Sequence, residues 1–188
     1  MKRVLVSGFT TFGKHTENSS EIIANLLRRD KLEGVELRTC ILPVAFSSAF
    51  EHLKIEIEAF KPDIVIALGL AGNRTKIEIE KVAVNLIDCE IPDNEGKLWQ
   101  DQPIRLGGTP AYFSTLPIQE LRKLDYPFPV TVSHSAGAYV CNYVMYRLLE
   151  HTEGRSIKAG FIHLPPLGES QYKIHETILS IIRETSSF

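Results

Sequence analysis

Apolar positions fall along this chain in short unbroken runs that alternate with stripes of helical spacing. Val4–Ser7 is one such run, and Ile64-Val65-Ile66-Ala67-Leu68, ending at Gly69, is another. Ala159–Leu164 is a further run, and Val130-Thr131-Val132-Ser133 also reads as a strand. Runs this short, bounded by turn residues, predict buried strands. Between them lie helical patterns. Asn18-Ser19-Ser20-Glu21 has the cap-then-acid order of a helix start, followed by an apolar stripe at Ile22, Ile23, Leu26 and Leu27. Ser47 or Ser48 opens a second helix that runs to about Phe60, where Pro62-Asp63 breaks it. Leu116–Leu124 predicts a short helix, and Val140–Glu150 and Tyr172–Thr185 predict two longer ones. Val35–Leu42 alternates as a strand does. Residues 76–85 alternate over a longer stretch and predict one strand, with an antiparallel course open to it. Residues 88–110 carry prolines and glycines and no period, which predicts a long irregular excursion. Such loops in compact domains are usually functional or mobile.

Strand-helix alternation with buried strands predicts an α/β fold, with helices on both faces of a mostly parallel sheet. The 188 residues suit one domain, 1–188. Hydrophobic residues at 44% and charged residues at 23% are globular values, which excludes disorder and collagen-like chains. The net charge of -2 gives no electrostatic footprint for nucleic acid. No run approaches the roughly 20 apolar residues of a membrane span, and the stretch after Met1-Lys2-Arg3 is too short for a signal peptide. Cys40, Cys89 and Cys141 form no CxxC pair, so structural zinc and a disulfide framework are not expected. A reducing cytoplasm, where a thiol stays free, is the expected compartment.

Four stretches carry possible chemistry. Gly8-Phe9-Thr10-Thr11-Phe12-Gly13-Lys14-His15 nearly spells a phosphate loop, but His15 stands where magnesium needs a hydroxyl. Nucleotide binding is therefore a minor alternative to a loop that presents Phe9 and Phe12 to an apolar ligand. In Ser133-His134-Ser135-Ala136-Gly137-Ala138-Tyr139-Val140-Cys141-Asn142 a strand ends, small residues turn the chain, and a cysteine begins a helix. A thiol at a helix N-terminus meets free N–H groups and the positive end of the dipole, which favour a thiolate and an oxyanion. A buried, inert cysteine is the bland reading. Ser135 is a rival nucleophile, but Ser133 stands where a nucleophile elbow needs glycine. Cys40 and Cys89 read as structural. His163 closes the strand Ala159–Leu164 at the carboxyl end, where open α/β sheets place their sites. It is either a satisfied core histidine or the base for Cys141. After Gly69-Leu70-Ala71-Gly72-Asn73-Arg74, Glu78 and Glu80 share one strand face. Glu78 is expected to be solvated. Glu80 is either solvated too or the group that orients the histidine.

Taken in order, these stretches resemble the pyroglutamyl peptidase I family. The resemblance rests on Gly8-Phe9 with Phe12-Gly13, Gly69 with Ala71-Gly72 and Arg74, and Glu80 with Val82 and Asn85. It continues through Ile91-Pro92-Asp93-Asn94-Glu95-Gly96, Ala111–Ile118, Ala136-Gly137, Val140-Cys141-Asn142, Met145-Tyr146, and Phe161-Ile162-His163 with Pro165. It implies a three-layer α/β/α sandwich around a twisted, mostly parallel mixed sheet, commonly assembled as a homotetramer. It implies a cytosolic cysteine peptidase that removes an N-terminal pyroglutamyl residue from peptides, with no metal or organic cofactor. The implied triad is Cys141, His163 and Glu80. The implied lactam pocket is Phe9, Phe12, Asn18, Ile91, Tyr139 and Val140, with Arg74 and the Cys141 helix start as oxyanion donors. Leu70, Lys14, Ser19, Tyr139 and Glu90 depart from the family's usual residues, which leaves a thiol amidase with an altered pocket as the alternative.

Overall fold

The computed structural model describes residues 1–188. Eight strands and five α-helices follow one another as β1 (Lys2–Phe9), α1 (Ser19–Leu27), β2 (Val35–Leu42), α2 (Ala49–Phe60), β3 (Ile64–Leu70), β4 (Ile77–Glu80) and β5 (Val82–Val84). Then come β6 (Ala111–Phe113), α3 (Ile118–Leu121), β7 (Val130–Ser133), α4 (Val140–Thr152), β8 (Lys158–Leu164) and α5 (Gln171–Ser187). Six strands form the main sheet in the order β2-β1-β3-β8-β4-β7. Every neighbouring pair is parallel except β4 with β8. No helix is long and apolar enough to cross a membrane.

The sheet's pleat sorts side chains into two apolar layers. Leu5, Phe9, Val65, Ala67, Ala159 and Phe161 point to one face and pack with α2 and α4. Val4, Val6, Ile64, Ile66, Ile162 and Leu164 point to the other and pack with α1, α3 and α5. β3 is buried at all seven positions, as an unbroken apolar run covered on both faces must be. Asn18 caps α1 as its sequence suggests, accepting the Ser20 N–H at 3.0 Å.

Two expectations need correction, and a third, the irregular excursion, holds. The stretch 76–85 is two strands, not one. Ile77 and Ile79 enter the main sheet, and then the apolar phase shifts to Val82 and Val84. Lys81 leaves the ladder there, donating to Ser133 O while accepting from Ser114 N, and β5 pairs with β6 in a separate antiparallel ribbon. The short helix covers only Ile118–Leu121 because the chain turns again at Leu124. The excursion 88–110 has little regular structure but is firmly tied down. Buried Asp93 accepts from Phe46 N, Glu95 N and Lys97 N, while Asn94 Nδ2 donates to Thr11 O.

Candidate active site

Three elements converge at the carboxyl ends of β3 and β8. β8 brings His163, β4 brings Glu80, and the first turn of α4 brings Cys141. In the antiparallel β4–β8 ladder Glu80 sits opposite Phe161 and Glu78 opposite His163, so all four share one sheet face. Glu80 reaches diagonally to His163, and its Oε1 lies 2.7 Å from His163 Nδ1. That carboxylate is fully buried and the imidazole side chain is 8% exposed. An acceptor at Nδ1 fixes the ring and turns Nε2 toward the remaining partner. Burial pushes the His163 pKa down, but hydrogen bonding and charge from Cys141 and Glu80 overcome it and carry the value up to about 9.

The cysteine is placed by a turn built from small residues. Gly137 adopts φ 77°, the left-handed conformation that glycine takes without a Cβ penalty. Tyr139 then caps α4 with no side-chain hydrogen bond, and the first bond into the helix is from Tyr143 N to Tyr139 O. The N–H groups of the first turn, at Cys141 among others, are left for a ligand. Asn142 locks this turn from behind. It is fully buried, accepts from Val84 N, and donates to Val84 O and Leu86 O. β3 makes room for the sulfur with a glycine, Gly69, at its next-to-last position. A Cβ at Gly69 would lie 2.7 Å from Phe161 Cζ and 3.0 Å from Cys141 Sγ. Gly69→Ala therefore crowds the thiol and is expected to cost about 1–3 kcal/mol, as overpacked cores do. Urea unfolding together with kcat checks this, because a variant of wild-type stability and rate would show that the sulfur does not need the space.

Beside the sulfur lies a narrow apolar cleft lined by Phe9, Phe12, Asn18, Val44, Leu70, Tyr139, Val140 and Cys141. Asn18 is the polar wall, its amide donating to Thr10 O at 2.8 Å. Tyr139 stands 6.1 Å from Phe12, ring centre to ring centre, and meets Phe46 edge-on. Its hydroxyl donates to Pro92 O, so the extra oxygen points away to the excursion rather than into the cleft.

The residues singled out in the sequence thus fare differently. Glu80, His163 and Cys141 come together, and Phe9, Phe12, Asn18, Tyr139 and Val140 line one cleft. Ile91 is not among the lining residues; it is 44% exposed and rests near Gly13. Val44, just after β2, was missing from the expected wall and carries no local motif that would reveal it. Arg74 is ion-paired with Glu78. Glu78 is not solvated: β4 lies inside the sheet between β8 and β7, so its side chain is only 12% exposed. Ser135 is exposed and its Oγ accepts from Gly137 N. Burial pushes the Cys40 thiol up to about 12 and the Cys89 thiol up as well, so both are held protonated. The loop that resembles a phosphate cradle packs Phe9 and Phe12 into the cleft, and Asn18 already occupies a donor at the start of α1. No group of three or more His, Cys, Asp or Glu is placed to hold a metal ion.

Comparison with known proteins agrees along nearly the whole chain. The family model described as pyroglutamyl peptidase matches residues 2–185. The pyrrolidone-carboxylate peptidase of Pyrococcus furiosus is 47% identical over 171 residues, which are 89% of this chain and 82% of that protein. That of Chromobacterium violaceum is 43% identical over 90% of this chain and 80% of its own length. The crystal structure of pyroglutamyl peptidase I from Bacillus amyloliquefaciens superposes with a TM-score of 0.94 at 30% identity, covering 100% of this chain and 98% of that one.

Proposed function

The chain belongs to the pyroglutamyl peptidase family, and from that premise we propose that it hydrolyses the amide bond after an N-terminal pyroglutamyl residue, with Cys141 as nucleophile. The observation that carries the reading is the buried Glu80–His163 contact beside Cys141, at the end of an apolar cleft. An imidazole fixed at Nδ1 by a buried carboxylate is placed to serve as the base for the neighbouring thiol.

The Cys141 sulfur adds to the pyroglutamyl carbonyl carbon, and the carbonyl oxygen takes the negative charge. N–H groups of the first turn of α4, that of Cys141 included, face the developing oxyanion. His163 gives its proton to the departing amine as the C–N bond breaks, leaving a thioester on Cys141. Water then adds to the thioester, losing its proton to His163, and the sulfur leaves. Pyroglutamate is a closed lactam whose nitrogen is not basic. A cleft of aromatic and aliphatic walls with one buried amide, Asn18, suits it better than it suits an ammonium. Leu70 keeps the wall apolar.

Residues 1–188 form one catalytic unit in this reading, supported by two apolar layers that share one sheet. Its substrates are peptides with a blocked N-terminus. The free state of all three cysteines suits a reducing cytoplasm. Exposed Leu98, Trp99, Leu106 and Phe113 offer apolar surface for assembly into a homo-oligomer, a tetramer as the family resemblance implies.

The selectivity test compares the amide of pyroglutamate with that of open-chain glutamate, each carrying the same fluorescent amine. The lactam substrate is expected to be turned over with kcat/KM at least about 10³-fold higher, since the open form buries an unpaired ammonium in an apolar cleft. Equal rates would contradict the lactam reading.

A further inference from the structure

Glu80 is not the only carboxylate on the catalytic face of β4. Glu78 sits directly opposite His163 in the ladder, where facing side chains have Cβ atoms about 4.5–5.5 Å apart. Its side chain is 12% exposed, and its Oε2 makes no hydrogen bond beyond the ion pair with Arg74. A buried carboxylate left alone is costly, so the arrangement of its one cation matters. Arg74 comes from the turn after β3, which is pinned by Ala71 N donating to Leu164 O and Arg74 N donating to Ala71 O. The same turn touches the cleft. Leu70 lines it, and Gly72 abuts His15, whose ring lies 5.0 Å from that of Phe12.

We propose that Glu78 and Arg74 form a positioning pair for the Cys141–His163 centre, Glu78 supplying a second buried carboxylate beside His163 and Arg74 the cation that cancels it. The inference rests on the thiol peptidase reading for its purpose but not for its test. The ionisable groups facing this centre are few. β4 contributes Glu78 and Glu80, α4 contributes Cys141 with the Tyr139 phenol at its cap, and the turn after β3 contributes Arg74. β3 itself presents Gly69, and β8 adds only Phe161 beside His163. His15 reaches the turn at Gly72.

Opposite charges at one site give opposite signs when removed singly. In Arg74→Met the bare Glu78 carboxylate disfavours the Cys141 thiolate and favours the His163 imidazolium, so both titrations move to higher pH. In Glu78→Gln the bare guanidinium moves both to lower pH. The experiment is the rate of Cys141 alkylation by iodoacetamide against pH, followed by peptide mass spectrometry so that only Cys141 is scored. This readout needs no substrate, so it stands even if no pyroglutamyl turnover is found. The midpoint is expected to rise by about half a pH unit or more in Arg74→Met and to fall by a similar amount in Glu78→Gln, about a threefold rate change in each direction on the rising limb. Arg74→Lys keeps the charge and should keep the wild-type midpoint. The double variant Arg74→Met/Glu78→Gln should return toward it. A role confined to bracing the turn would alter KM or stability without signed displacement. Midpoints that stay put, or that move the same way in both single variants, would overturn the proposal.

Discussion

Cys141→Ala is expected to fold as the wild type does and to lose pyroglutamyl amide turnover by about 10⁶-fold, the scale seen when a nucleophile is deleted from an acyl-transfer site. The structure leaves no substitute. Cys40 and Cys89 are held as thiols by burial, and neither lines the cleft. Ser135 is exposed on the loop before α4 and engages a backbone N–H rather than a base. Removing the sulfur takes little from the fold: Cys141 only borders the core, while Asn142 and the core residues of α4 carry the packing. Stopped assays at high enzyme concentration, with circular dichroism as the folding control, check this. Activity within tenfold of wild type would sink Cys141 as nucleophile.

Glu80→Gln is expected to lower kcat by about 10³–10⁴-fold while leaving KM close to wild type. Replacing a triad carboxylate by its amide keeps the shape but holds the imidazole in the wrong tautomer, and it removes the charge that stabilises the imidazolium. Here the effect should be large because the carboxylate is fully buried and its Oε1 stands 2.7 Å from Nδ1, with Oε2 taking no hydrogen bond of its own. Stability should fall far less than activity, because His163 can shed its proton once its partner is neutral. Paired urea unfolding and steady-state kinetics separate the two quantities. A variant that loses stability and rate in proportion would make Glu80 a structural residue only.

Much of this architecture was legible in the sequence, and the exceptions have definite causes. β3 and β8 follow from apolar runs covered on both faces, β7 from its β-branched Val130-Thr131-Val132, and α1 from its Asn18 cap. The break between β4 and β5 was missed, because alternation continues on either side of the slip in phase from Ile77 and Ile79 to Val82 and Val84 and reads as one strand. β6 was not legible because three residues gain strand character only from their partner β5. The convergence of Glu80, Cys141 and His163 could not be read from periodicity at all. Residues 83 apart in sequence meet through an antiparallel ladder that only the fold supplies, and the family resemblance stood in for that geometry. Glu78 was misread because a strand with two glutamates on one face looks solvated until both neighbours in the sheet are known. Val44 and the exclusion of Ile91 from the cleft depend on how the excursion 88–110 docks against residues 44–46, through Asp93 and Asn94.

The central claim is that one thiol, Cys141, performs hydrolysis of a pyroglutamyl amide, and graded alkylation tests it most directly. Samples are treated with substoichiometric iodoacetamide, each cysteine's occupancy is read by peptide mass spectrometry, and residual turnover of the pyroglutamyl amide is measured on the same samples. The account predicts that activity falls one-for-one with labelling of Cys141, that Cys40 and Cys89 remain largely unlabelled, and that free pyroglutamate slows both losses together. Full labelling of Cys141 with turnover retained would contradict it.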